Sequence, residues 1–286
     1  MSADPDEGPG GWLITGCSTG IGRHIARAAL EKGHRVAVTA RKREAVEDIV
    51  AEHPERAIAL ALDVTKREQV DAAVRETERA FGGIDVLVNN AGYGYMAAVE
   101  EGEDDQIRAL FDTNYFGAVA MIQAALPGMR RRGRGHVINI SSMTGLVANP
   151  PNVFYSSTKF ALEALTEGLA KEVGPLGLRV TAIEPGAFRT DWSTRSMKEA
   201  SKPIDAYADT VGARKKLIKL AGDKFPGDPR RIADAVLMVT ELEHPPLHLL
   251  LGHDVYKAYR EKLSGLMASV EEWKAVTLDV NFPSKR

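Results

Sequence analysis

The chain has 286 residues, with 37 Lys plus Arg against 39 Asp plus Glu for a formal charge of −2, and 44% of it is hydrophobic. That length suits one large domain or two ordinary ones, and the even charge balance argues against a surface built to grip nucleic acid or an anionic membrane. One cysteine, Cys17, excludes an internal disulfide, and no apolar run approaches the ~18 residues that span a bilayer.

Residues 1–10, acidic and rich in Pro and Gly, read as a disordered leader with no secretory pattern, which implies a cytoplasmic protein. Leu13-Ile14 is a short strand cut off by a Gly-rich turn. Ile21, Ile25, Ala28 and Ala29 then fall at helical spacing, with Gly33 as the stop. Arg35 to Thr39 is β-branched and reads as strand, 43–53 as helix, Ala57 to Leu62 as strand, and 66–80 as helix ended by Gly82-Gly83. Asp85 to Val88 is strand, 104–126 one long helix, His136 to Ile140 strand, 153–173 helix and Leu178 to Ile183 strand. Short strands that are apolar throughout, alternating with amphipathic helices, predict an α/β fold with a parallel sheet covered on both faces and ligands at the carboxyl ends of its strands.

After Pro185 the rhythm breaks. Residues 187–228 are polar, with scattered Phe188, Trp192, Met197, Tyr207 and Phe225, and a stretch this long predicts a mobile lid. Its basic run Arg214-Lys215-Lys216 reads as a solvated helix face. A helix at 229–241, a strand near 247–251 and a helix at 253–264 follow, and a tail expected to be anchored by Trp273, Val276, Leu278 and Phe282 ends the chain. Without a repeat, linker or second core, 11–286 is expected to be one domain, with an extension over about 253–286.

Four segments carry candidate chemistry. Gly16, Ser18, Thr19, Gly20, Ile21 and Gly22 lie between the first strand and the first helix, where glycines let a dinucleotide phosphate approach a helix N-terminus, although glycines also occur in many ordinary turns. Cys17 within this turn is expected to contribute its backbone N–H rather than its sulfur. Arg41 ends the second strand with no acidic residue beside it; an arginine there accommodates the 2′-phosphate of NADP, whereas an acidic residue would bind the free ribose of NAD. The alternative is a solvated basic helix start. Tyr155 and Lys159 stand four apart on one helix face, where an ammonium lowers a phenol's pKa toward the useful range; the alternative is a core tyrosine beside an unrelated surface lysine. Ser142, thirteen residues before Tyr155, either donates to a substrate carbonyl or bonds its own loop. No spacing suggests a metal site, and the seven histidines read as surface or structural.

Taken in order, T-G-x-x-x-G-I-G at 15–22, Asn89-Asn90-Ala91-Gly92, Asn114, Ser142, Y-x-x-x-K at 155–159 and Pro185-Gly186 with Thr190 resemble the single-domain short-chain dehydrogenase/reductases over roughly 11–252. The resemblance implies a Rossmann-type, doubly wound, seven-stranded parallel sheet with three helices on each face. It implies that Gly16, Ser18, Thr19, Gly20, Ile21 and Gly22 hold the cofactor pyrophosphate and its ribose. Asp63 and Val64 would flank the adenine. Asn90, Ala91, Gly92, Pro185, Gly186 and Phe188 would line the cofactor cleft, and Thr190 would hold the carboxamide. Asn114, Ser142, Tyr155 and Lys159 would form the catalytic tetrad: Tyr155 exchanging the proton, Ser142 polarising the substrate oxygen, Lys159 acidifying the phenol and binding ribose, Asn114 anchoring a water. The implied activity is NADP(H)-dependent hydride transfer to or from a carbonyl or secondary alcohol, in a homodimer or homotetramer. A weaker likeness, through residues 184–192 and the tail, to members acting on steroids and retinoids points to a lipophilic or polyketide-like small molecule. A non-catalytic NADP(H) sensor of the same fold is the alternative, and an epimerase or dehydratase is disfavoured by the glycine spacing.

Overall fold

Nine strands and ten α-helices appear in a computed structural model of the chain, which describes residues 11–189, 196–221 and 224–282. The expected leader, Trp192 and the expected carboxamide contact Thr190 lie outside the described residues. The strands are β1 (Gly11–Ile14), β2 (Val36–Ala40), β3 (Ala57–Ala61), β4 (Ile84–Asn89), β5 (Gly94–Met96), β6 (Gly135–Ile140), β7 (Leu178–Pro185), β8 (Met197–Glu199) and β9 (His248–Leu251). The helices are α1 (Gly20–Glu31), α2 (Glu47–Glu52), α3 (Arg67–Phe81), α4 (Asp104–Phe111), α5 (Gly117–Arg132), α6 (Val153–Val173), α7 (Ala213–Ala221), α8 (Pro229–Glu241), α9 (His253–Glu272) and α10 (Lys274–Leu278).

Seven strands form one parallel sheet in the order β3-β2-β1-β4-β6-β7-β9. Strand periodicity divides the core in two. Ile14, Val36, Val38, Val86, Val88 and Ile138 point to a core shared with Ile25 and Leu30 of α1 and Ile232 and Val236 of α8. Their neighbours Leu13, Ala37, Leu87 and Val137 point the other way, toward Val70 of α3, Met121 of α5 and Leu169 of α6. Each fully buried aliphatic side chain contributes about 1.5–3 kcal/mol, so covering both faces with helices is what makes these uniformly apolar strands stable. The chain runs outward from β1 through β2 to β3, then crosses back to β4 beside β1. This reversal opens a crevice at the carboxyl ends of β1 and β4, the usual ligand position in such sheets.

Several elements differ from the sequence expectation. The helix expected over 43–53 begins as a tight 3₁₀ turn, Arg43–Val46, before α2. The single helix expected over 104–126 is broken by a π turn at Asp112–Phe116, which carries Asn114, and resumes as α5 through Pro127 to Arg132. The last helix extends to Glu272 rather than stopping near 264. The expected tail anchors fail as anchors: Trp273, Val276, Leu278 and Phe282 are all exposed, continuing a stripe of exposed Leu263, Leu266, Met267 and Val270 along α9. Their apolar side chains therefore lie at the surface rather than in the core.

The segment expected to be a lid is tied down over 196–221. Strand β8 pairs parallel with β5, matching Tyr95 to Lys198. Buried Glu101 accepts from the Ile204 N–H at 3.0 Å, the Ala98 N–H at 2.9 Å and Lys215 Nζ at 3.3 Å. Lys215 is therefore not part of a solvated helix face: its side chain is 11% exposed and paired with Glu101. No helix among the described residues is long and apolar enough to cross a membrane.

Candidate active site

The Gly-rich turn sits at the carboxyl end of β1. Gly16 has φ +74° and Gly20 φ +61°, backbone conformations that favour glycine. A side chain on Gly22 would strike Asn90 Nδ2 and lie 2.7 Å from the Gly16 carbonyl oxygen, so only glycine lets α1 start this close to the β4 loop. That loop is locked in return: Thr15 Oγ1 accepts from the N–H groups of Asn90 and Ala91, each at 2.9 Å, while Asn90 Nδ2 donates to the carbonyls of Thr15 and Gly16. Thr19 occupies the N-cap of α1 without a side-chain cap bond, and the first turn carries no acidic residue. Free N–H groups and an uncancelled helix dipole make this an anion site, and the glycine cradle fits a dinucleotide pyrophosphate. One expectation fails here. The Cys17 N–H is spent on the Thr39 carbonyl at 2.7 Å, because β1 runs on beside β2, and the buried thiol donates to the Ile14 carbonyl. Burial pushes that thiol up to about 12, so it stays protonated and unreactive.

Arg41 follows the last residue of β2 and is exposed, with no ion pair among the described residues; Arg43, by contrast, lies 3.6 Å from Glu47. Asp63 Oδ1 accepts from both the N–H and the hydroxyl of Thr65, at 3.0 and 2.7 Å. Buried Val64 abuts Gly117, where a side chain would strike it. On the opposite wall the Gly186 N–H donates to the Leu251 carbonyl at 2.9 Å, Ala187 N–H donates to Asp254 Oδ2 at 2.7 Å, and Phe188 packs against the α1-side core.

Tyr155 and Lys159 lie on α6, and both are at least nine-tenths buried. Lys159 Nζ is 5.7 Å from the Tyr155 ring centroid and donates to the Ile140 carbonyl at 2.8 Å. Ser142 follows β6, with its Oγ accepting from the Thr144 N–H and hydroxyl at 3.2 and 3.1 Å and its own proton directed to the Tyr155 oxygen. Of the two expected roles of this serine, the local loop bond is present. Buried Asn114 accepts from the Tyr93 N–H at 3.0 Å, donates to the Tyr93 carbonyl at 2.8 Å and lies 3.2 Å from Thr158 Oγ1, bracing the β4–β5 connection against α6. The amide side chain is thereby committed to protein partners.

The electrostatics depart from the expectation that Lys159 brings the phenol down. Burial pushes the Tyr155 hydroxyl well above its ordinary value, and the Ser142 hydrogen bond only partly opposes this. Burial also pulls Lys159 down to about 8, with Glu163 opposing. Desolvation of the charged form is the largest cause of both shifts. Around the ring, Tyr95, Ala97 and Leu110 form an apolar cluster joined by Tyr93, Ile107, Phe154 and Ala200.

Sequence reading missed three residues beside this pair. Glu163 on α6, Glu184 on β7 and His248 on β9 present ligand-type atoms within 4.8 Å of one another. Their only sequence signal is that Glu163 lies one turn beyond Lys159. By contrast His136, hydrogen-bonded to Thr181 Oγ1 at 2.9 Å and held neutral by burial, is structural.

Comparison with known proteins agrees with this arrangement. The family model described as short chain dehydrogenase matches residues 12–201. Oxidoreductase BOA17 of Botryotinia fuckeliana is 39% identical over 93% of this chain and 97% of its own length. The 3-ketodihydrosphingosine reductase of Bacteroides thetaiotaomicron is 34% identical over 89% and 92%, respectively. Among solved structures, a short-chain dehydrogenase from Streptomyces avermitilis superposes with TM-score 0.89 at 40% identity, covering 97% of this chain and 100% of that one. An alcohol dehydrogenase from Thermococcus sibiricus, complexed with 5-hydroxy-NADP, gives TM-score 0.70 at 29% identity, covering 85% and 95%. A glycine cradle at the sheet's switch point and likeness along almost the whole chain lead to one assignment: the protein is an oxidoreductase of the short-chain dehydrogenase family.

Proposed function

We propose that the chain is an NADP(H)-dependent reductase or dehydrogenase acting between a carbonyl and a secondary alcohol on a lipophilic, polyketide-like small molecule. What supports it is the grouping of Ser142 and Lys159 around Tyr155, together with a Gly16–Gly22 turn at the carboxyl end of β1 that suits a pyrophosphate. Bound there, the nicotinamide supplies the hydride. Ser18, Thr19, Gly20 and Ile21 join the two glycines in holding the phosphates, and Arg41 takes the 2′-phosphate. Asp63 and Val64 border the adenine, with Asn90, Ala91 and Gly92 as floor and Pro185, Gly186, Phe188 and Thr190 on the nicotinamide side.

In reduction, Tyr155 gives its proton to the substrate oxygen while Ser142 donates a hydrogen bond to the same oxygen as negative charge develops. A buried phenol that keeps its proton at neutral pH suits this direction. Lys159 opposes the negative charge left on Tyr155, and Asn114 holds the adjoining loop in register. The apolar residues around Tyr155, and the 3-ketodihydrosphingosine named for the Bacteroides relative, favour an apolar substrate. We take residues 11–286 as one domain, with 187–228 covering the substrate and the tail as an extension. The exposed stripe on α9, together with exposed Phe116 and Phe160, supports a homodimer or homotetramer; light scattering at micromolar concentration is expected to report at least two chains.

The test is NADPH absorbance against a panel of long-chain and cyclic ketones, with small polar ketones as the comparison. Turnover is expected with the apolar set. NADPH binding without turnover on any carbonyl or alcohol would favour the sensor reading, and turnover restricted to polar substrates would remove the lipophilic assignment.

A further inference from the structure

One helical turn beyond Lys159, on the same face of α6, the Glu163 carboxylate is buried. Ser141 Oγ, Glu163 Oε1 and Lys159 Cβ all border the space where a Gly145 side chain would lie, at 2.7, 3.1 and 3.1 Å. Glu184 on β7 is wholly buried. His248 on β9, whose side chain is 32% exposed, places Nδ1 2.7 Å from Glu184 Oε1 and 3.4 Å from Glu163 Oε2, with Nε2 3.7 Å from Glu167 Oε1. The Glu163 carboxyl interacts by hydrogen bonding with Ser141 and with the Glu184 carboxyl. Tyr259 of α9 also faces this cluster, its hydroxyl held up by burial and by the charges of Glu184, Glu163 and Glu167.

Two carboxylates this deeply buried and this close cannot both stay ionised beside one ammonium. Burial and the neighbouring Glu163 charge push Glu184 up to about 7, and burial raises Glu163 as well. Around neutral pH the pair therefore holds about one shared proton and titrates as a unit. The negative charge that remains raises Lys159 against the downward pull of burial.

We propose that Glu163, Glu184 and His248 are positioning residues for the Tyr155–Lys159 pair: a single carboxylate charge, shared with one proton across the three side chains, keeps the Lys159 ammonium charged during turnover, and His248 connects that proton to solvent. The proton passes between a carboxyl oxygen and the imidazole, an O–H breaking as an N–H forms, and exchanges with water at the exposed ring edge; nothing is oxidised or reduced. This inference rests on the role proposed above for Lys159.

The experiment is a titration of the lysine side-chain nitrogens by NMR in the ligand-free protein, with Lys159 assigned through Lys159→Arg, alongside the pH profile of NADPH-dependent reduction. Glu163→Gln is expected to shift the Lys159 titration, and the alkaline limb of the profile, about one pH unit toward acid. Glu184→Gln leaves Glu163 without a like-charged neighbour, so it should produce no acid shift. Glu163→Gln leaving the Lys159 titration in place would overturn the proposal even if Tyr155→Phe abolishes turnover, whereas an active Tyr155→Phe would sink the functional reading alone. A profile for the unaltered protein that moves on adding a chelator would overturn it in favour of a bound metal ion. Stability gives a check that survives a poorly folding Glu163 variant. A carboxyl whose pKa is raised on folding contributes stability that is present below its unfolded value and is lost as pH rises through about 7. Glu184→Gln is therefore expected to melt higher than the parent at pH 8 and to lose that advantage at pH 5; a lower melting temperature at both would overturn the sharing.

Discussion

Replacing Tyr155 with Phe is expected to lower carbonyl-reduction turnover by about 10²-fold or more, the usual contribution of a positioned acid. The substitution removes one hydroxyl and keeps a ring that is 6% exposed and packed against Tyr95 and Leu110. The melting temperature should hold, and the loss should fall on kcat rather than KM, because the proton transfer is felt in the transition state. Ser142 would remain held by Thr144, so the oxygen-binding position survives without its proton source. The pH dependence has a definite sign. Lys159 is pulled down to about 8 by burial, so its positive charge is present below that pH and lost above it. Reduction that draws on Lys159 to offset the developing phenolate should therefore fall as pH rises through about 8, and Tyr155→Phe should flatten that limb. Stopped-flow NADPH absorbance on any accepted ketone measures both effects; undiminished turnover in the variant would take Tyr155 out of the reaction.

How much was legible beforehand follows from where the information resides. Helix α6 over 153–173 and helix α8 over 229–241 end where the sequence predicts, because the apolar periodicity is sustained and, for α8, Asp228 caps the Arg230 N–H at 3.0 Å with Pro229 in the first turn. The glycine turn and the Y-x-x-x-K pair are local patterns, each confined to a few consecutive residues. What was not legible is tertiary. Strands β5 and β8 are three residues each and pair across a hundred positions of chain, too short for any period to show. The π turn at Asn114 adds a residue to a helix whose apolar pattern looks continuous. Nothing in the order of residues places His248 against Glu184, 64 positions away. The direction of the Tyr155 shift belongs to the same class, because burial, a property of the whole fold, is its largest cause. Tail residues such as Phe282 are apolar yet exposed, which periodicity alone does not reveal.

Arg41→Ala is expected to weaken NADPH binding by about 10- to 150-fold, the loss of about 1.5–3 kcal/mol for a charge-assisted phosphate contact, while NADH binding stays within about threefold. The selectivity follows from position. Arg41 leaves β2 directly beside β1 and its glycine turn, so a cofactor whose pyrophosphate lies on α1 brings its adenosine ribose to this strand end. Thr39, Ala40, Lys42 and Arg43 offer no carboxylate to accept a free ribose hydroxyl, and the Arg43 guanidinium is already drawn to Glu47. The exposed Arg41 side chain holds up no part of the core, so truncation should leave the melting temperature unchanged and any affinity change can be read as recognition. Fluorescence titration with the two cofactors separates the cases. A loss for NADPH alone assigns the 2′-phosphate to Arg41, and an equal loss for both would mean that Arg41 acts on the pyrophosphate or on the turn rather than on the group that distinguishes them. Arg41→Asp carries the argument one step further: it sets a carboxylate against the 2′-phosphate and offers an acceptor to the free ribose, so NADPH should weaken beyond the alanine variant while NADH tightens.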